Sequence, residues 1–186
     1  MIKKFCAICI FTLLINSVSF ASPVVDEANL LSASEIQALN QKIASIERKH
    51  GIRIDIDFLN TIGNREISTA ARILLEQNLS DGKNGNILLL VVMDQRNWYI
   101  STDSRMDARL SNISAIGRTF VNNLSSGDFS GACGKFLDAV DSSLSYYEQT
   151  GTTYNMQAGF NPMAAVVALV LGLIFGGMVR ARLISG

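Results

Sequence analysis

The residues of this chain best suited to chemistry are three aspartates, Asp81, Asp103 and Asp107. Clustered carboxylates supply the oxygen ligands that hard cations such as Ca2+ and Mg2+ take up. Arg105 sits among them and opposes a cation, so the group reads first as a solvated loop edge balanced by Lys83 and Arg105, with a Ca2+ or Mg2+ site as the sharper alternative. Asp26 and Asp94 form a second acidic pair. The simpler reading has Asp26 capping the turn Glu27–Leu31 and Asp94 stabilising a hairpin turn. Other reactive types are sparse: His50 is the only histidine, and its place at a helix end accounts for it. Cys133, in Gly131-Ala132-Cys133-Gly134, reads as a small packing residue rather than a reactive thiol. The sequence carries no phosphate-cradling glycine loop, paired histidines or activated-serine motif, so no catalytic residue is assigned. Trp98 and Tyr99 could stack on a ligand, but neighbours on a strand point to opposite faces, and one of them belongs to the core.

The elements that must bring these residues together follow from periodicity. Ser32-Ala33-Ser34-Glu35 is a capping-box start, and Ile36, Leu39, Ile43 and Ile46 continue at helical spacing to Lys49-His50-Gly51. A second helix spans about 66–79, and two more fit 108–124 and 129–147. Ile52, Ile54, Ile56 and Phe58 alternate with Arg53, Asp55 and Asp57, as in a strand with one buried and one wetter face. The run 86–93 does not alternate and should be a central strand covered on both sides. The helix between these strands makes them a parallel pair. The turn 94–97 makes 98–103 antiparallel, and pairing Asp94 with Asn97 sets Ile87 opposite Ser104 and Gly85 opposite Met106. That register carries Asp103 and Asp107 back beside the loop 81–85. The expected fold class is thus α/β: a small mixed sheet, made of a parallel pair plus an antiparallel hairpin strand, flanked by helices on both faces and followed by one transmembrane helix.

Both ends of the 186-residue chain carry membrane signals. Lys3-Lys4, an apolar stretch from Phe5 to Ile15 and Ser19-Phe20-Ala21 form the pattern of a signal peptide over 1–21. The domain is expected over 22–147, a linker over 148–161, a membrane helix over 162–179 and a cytoplasmic tail over 180–186. The uncharged run from Pro162, about 18 residues at about 1.5 Å each, is just long enough to span a hydrocarbon core. Arg180 and Arg182 lie only on its C-terminal side, which places the tail inside and the domain outside. The chain holds 16 basic and 16 acidic residues; setting aside Lys3, Lys4, Arg180 and Arg182 leaves 12 basic residues against 16 acidic. This mildly acidic domain is a poor partner for nucleic acid. Cys6 and Cys9 depart with the signal, so Cys133 is left alone without a disulfide partner.

Four stretches in order resemble one family. Val25-Asp26-Glu27-Ala28-Asn29-Leu30-Leu31-Ser32 resembles the opening V-x-D-x-A-x-L-L-s motif of TPM domains, named from thylakoid lumen phosphatase-like proteins, a photosystem II repair factor and an acetylcholine-receptor auxiliary protein. Asn84-Gly85-Asn86-Ile87-Leu88-Leu89 is similar to its N-G-x-L-L-L strand, Asp94-Gln95-Arg96 to its D-x-R turn, and Ser126-Gly127-Asp128-Phe129-Ser130-Gly131 to its G-D-Y-x-x-G lead into the last helix. Where the family usually has E-x-G-x-G-L-E, this chain has Ser101-Thr102-Asp103-Ser104-Arg105-Met106-Asp107. Both glycines and two acidic positions are absent from the stretch where chemistry would sit, and some members are described as phosphatases or calcium binders. The membrane signals at both ends lead to the expectation of a bacterial, single-pass protein of the cytoplasmic (inner) membrane, its domain facing the periplasm or cell exterior. The resemblance implies an accessory factor in assembly, repair or modulation of membrane protein complexes. The partners would be such a complex and, through the C-terminal helix, the lipid bilayer. The alternative is a metal-dependent (Ca2+ or Mg2+) phosphomonoesterase of the same fold.

Overall fold

The computed structural model describes residues 22–110 and 112–154. The expected signal peptide, membrane helix and tail, and the second half of the linker, lie outside the described residues. None of the described helices is long and apolar enough to cross a membrane.

A four-stranded mixed sheet runs in the order β1 (Val24–Asp26), β2 (Arg53–Leu59), β3 (Asn86–Val92), β4 (Asn97–Thr102). β1 and β3 are parallel to β2, and β4 is antiparallel to β3. Helix α1 (Ala33–His50) opens with Ser32 accepting from the Glu35 amide while the Glu35 carboxylate accepts from the Ser32 amide. It closes on Gly51, whose φ of 67° is left-handed and costs glycine little. Helix α2 (Ile67–Asn78) is capped by Glu66. The short α3 (Ser104–Asp107), α4 (Ile113–Ser126) and α5 (Phe129–Thr150) complete the chain.

Strand alternation sorts the two cores. Ile54, Ile56 and Phe58 of β2, with Ile87, Leu89 and Val91 of β3, face α1, α4 and α5 in the larger core. Leu88, Leu90 and Val92 face α2 in the smaller one. All seven residues of β3 are buried, as its unbroken apolar run requires.

The structure corrects the sequence reading in four places. β1 was not anticipated: three residues show no periodicity, and the pairing of Val24 with Ile56 is what makes them a strand. The hairpin register is shifted by two, with Val92 opposite Asn97 and Ile87 opposite Thr102. The turn spends four residues, 93–96, with the Arg96 amide on the Met93 carbonyl and Arg96 at φ 47°. A two-residue turn of the favoured kind needs positive φ at both Gln95 and Arg96, whereas the longer turn needs it once. The helix expected over 108–124 is α4, which starts later, at Ile113, with Asn112 capping it through the Ala115 amide, and a separate short helix, α3, capped by Asp103, precedes it. Finally, α5 continues past Tyr147 to Thr150, so the supposed linker begins as a helical turn.

Candidate functional site

The three aspartates gather at the end of the sheet where β3 begins, but each already has protein partners. Asp103 accepts from the Met106 amide at 2.9 Å and so caps α3. Its other oxygen accepts from Asn86 Nδ2 at 2.9 Å and from Arg105 at 3.1 Å. Asn86 passes the link onward, its Oδ1 accepting from the Gly82 amide at 3.1 Å. Burial acts to raise the Asp103 carboxyl, yet the Met106 and Asn86 hydrogen bonds and the Arg105 charge outweigh it and hold it below the ordinary range. Asp107 lies one turn on, its amide donating to the Asp103 carbonyl at 2.9 Å and its carboxylate accepting from the Thr102 hydroxyl.

Asp81 looks the other way. Arg53 of β2 grips it with two parallel bonds, Nε at 2.9 Å and Nη2 at 2.8 Å, and that hydrogen bonding lowers the Asp81 carboxyl. The same guanidinium reaches Glu47 at 3.3 Å. Arg105 does balance Asp103 as expected, whereas the cation for Asp81 is Arg53, 28 residues away in sequence. Among the described residues, no group of three or more His, Cys, Asp or Glu side chains is placed to hold a metal ion.

Gly85 closes this corner. Its φ of 127° and its approach to α3 both demand glycine, because a Cβ there would stand 2.7 Å from the Met106 amide nitrogen. Gly85 and Met106 thus meet although the register that suggested it was wrong, since α3 folds back over the loop.

The remaining candidates are structural or were missed. Cys133 is fully buried, and burial pushes its thiol up to about 12, far from a nucleophilic thiolate. Trp98 is half-buried with its ring edge-on to Phe120 at 5.0 Å, while Tyr99 is exposed, so the two divide as their alternation required. The Asp26 carboxylate accepts from the Leu30 amide at 3.1 Å and the Leu31 amide at 2.8 Å, as a cap does.

His50 is buried between two carboxylates, with Nε2 at 2.7 Å from Asp141 and Nδ1 at 2.9 Å from Glu148. Lys49 joins at Asp141 and Arg109 at Glu148, which ties the end of α1 to the end of α5. Nothing local in the sequence could reveal partners more than 90 positions away. The wetter face of β2 also differs from expectation. Asp57 is only 2% exposed and one of its oxygens has no partner among the described residues. Burial pushes its carboxyl up to about 7, with the charges of Asp55 and Glu27 adding to the effect. Burial likewise raises Asp55 to about 6, together with Glu47 and against Arg53.

A family model described as the TPM domain matches residues 24–143. The chain belongs to the TPM domain family. Three solved structures share the fold. The N-terminal domain of a Porphyromonas gingivalis protein (P.gingivalis) is 21% identical with a TM-score of 0.58, over 72% of this chain and 87% of that one. The N-terminal domain of a Corynebacterium glutamicum protein is 19% identical with a TM-score of 0.57, over 70% and 85%. A protein of the psychrophile Bizionia argentinensis is 16% identical with a TM-score of 0.57, over 63% and 83%. No curated protein matches the chain. In this TPM domain the shared motifs do framework work. Asp26 caps a turn, Gly85 lets α3 approach, and Asp128 caps α5 by accepting from the Gly131 amide at 2.9 Å. A Cβ on Gly131 would meet that same carboxylate at 2.1 Å.

Proposed function

We propose that this TPM domain is a membrane-tethered accessory factor, held outside the bacterial cytoplasmic membrane and acting in assembly, repair or modulation of membrane protein complexes. One observation carries the reading: the side chains best suited to catalysis are committed to the framework. Asp103 caps a helix, Asp81 is locked to Arg53, Cys133 is core, and His50 is enclosed by carboxylates. A domain built this way works through its surface. Residues 1–21 would direct export and 162–179 would anchor it, with a short tether after α5 keeping the domain near bilayer-embedded partners.

Two experiments test this. A phosphatase reporter fused after Tyr154, beyond the last turn of α5, should be active on the outer side, and a reporter active only in the cytoplasm at that position overturns the topology. Affinity capture of the full chain from detergent-solubilised membranes should enrich a membrane protein complex. Hydrolysis of a chromogenic phosphate that depends on Asp103 or Asp107 and on Mg2+ or Ca2+ would instead favour the phosphomonoesterase reading.

A further inference from the structure

An apolar cleft of about 470 Å3 opens at the carboxyl end of β3, on the far end of the sheet from the three aspartates. Its walls come from Val91 and Met93 of the β3 end, Trp98 of β4, Val121 and Leu124 of α4, and Phe129 at the start of α5. The volume falls within the range of small-molecule sites. One charged residue lines it, Arg96, and this guanidinium has no ion pair or side-chain hydrogen bond among the described residues.

The hairpin turn and α4 set the shape of this cleft. Arg96 holds φ 47°, an unusual conformation for a residue other than glycine, asparagine or aspartate. That conformation is what the hairpin turn requires, and it leaves the exposed Arg96 at the edge of the cleft. Across the cleft, Gly117 of α4 leaves room for the Trp98 ring, since a Cβ there would come within 2.2 Å of it. The indole is therefore drawn against α4 and walls the cleft instead of filling it.

We infer that the cleft binds a monomeric anionic amphiphile, a fatty carboxylate whose chain lies along Trp98, Leu124 and Phe129 while its head group meets Arg96. Charge complementarity selects this occupant. A single unpaired guanidinium matches a single negative charge, and its planar fork matches the planar oxygens of a carboxylate. A doubly charged phosphate would leave one charge without a cationic partner, since Asn97 and Ser125 are the other polar side chains of the cleft. This site is independent of the accessory role, and failure of either leaves the other standing.

Trp98 is the only tryptophan of the chain and reports on the cleft directly. The full chain would be placed in phosphatidylcholine vesicles and titrated with a bromododecanoate, whose bromine quenches an indole on contact. Saturable quenching is expected, weaker by about tenfold in Arg96→Asn, because one charged hydrogen-bonding partner is lost. Asparagine tolerates the left-handed conformation, so that variant keeps the turn. The matching uncharged bromododecanol should bind as weakly to the native chain as the acid does to Arg96→Asn. Gly117→Ala should also reduce quenching by displacing the indole, and where it fails to fold, Arg96→Asn and the alcohol decide the matter. Equal quenching of native chain and Arg96→Asn, equal affinity for acid and alcohol, or a linear response that never saturates would each overturn the proposal.

Discussion

Asp57 shows how much a single side chain can reveal once its surroundings are known. The folded chain holds its proton up to about pH 7, while an unfolded carboxyl releases it near 3.8. A carboxyl whose folded value is raised binds more protons in the native state, so stability falls as pH rises from about 4 to about 7 and then levels off. Asp55, raised to about 6, adds to the same slope. Urea unfolding between pH 4.5 and 8 should therefore give a declining stability, and Asp57→Asn should flatten the decline and gain about 1–3 kcal/mol at pH 8. A native chain that is most stable at pH 8 contradicts the buried-carboxyl account. Alternation alone had read this face as the wetter one. It gave the side of the strand correctly but not the burial of Asp57, because alternation along β2 does not record how deeply a strand held between β1 and β3 is covered.

At the scale of elements, the aspartate corner depends on α3 folding back onto the start of β3. Gly85→Ala combines an unfavourable φ with a contact of 2.7 Å to the Met106 amide, and should cost about 1–3 kcal/mol in chemical denaturation. Asp103→Ala removes the cap of α3 and the partner of Asn86, and should cost about 2 kcal/mol. Asp107→Ala, at an exposed position, should stay within about 0.5 kcal/mol. Equal losses for the two aspartates would mean that the cap is not what holds the corner. The helices and the central strand were legible because their periods run for many residues, and the cap of α1 because Ser32 and Glu35 stand three apart. The hairpin register was not. Its turn is decided by left-handed backbone at Arg96, a residue type that gives no signal of that conformation. The short α3 and the later start of α4 were likewise missed, because both rest on side-chain caps, at Asp103 and Asn112, that leave no periodic pattern.

Across the whole molecule, the sharpest question carried over from the sequence is whether the aspartate corner takes up a divalent cation. Three acidic residues at one sheet end would repel one another unless something offsets them. Here Arg53 neutralises Asp81, Arg105 neutralises Asp103, and the Thr102 hydroxyl solvates Asp107, so most of the offset is internal. An ion that binds only the folded form raises the melting temperature by mass action, whereas a charge cluster merely screened by salt responds to ionic strength alone. Melting residues 22–154 in millimolar Ca2+ or Mg2+ should match melting in NaCl of equal ionic strength, and Asp107→Asn should leave that equality unchanged. A rise of several degrees that is specific to one divalent ion and abolished by Asp107→Asn would show that Arg105 yields its place to a metal. The phosphomonoesterase reading would then outrank the accessory one.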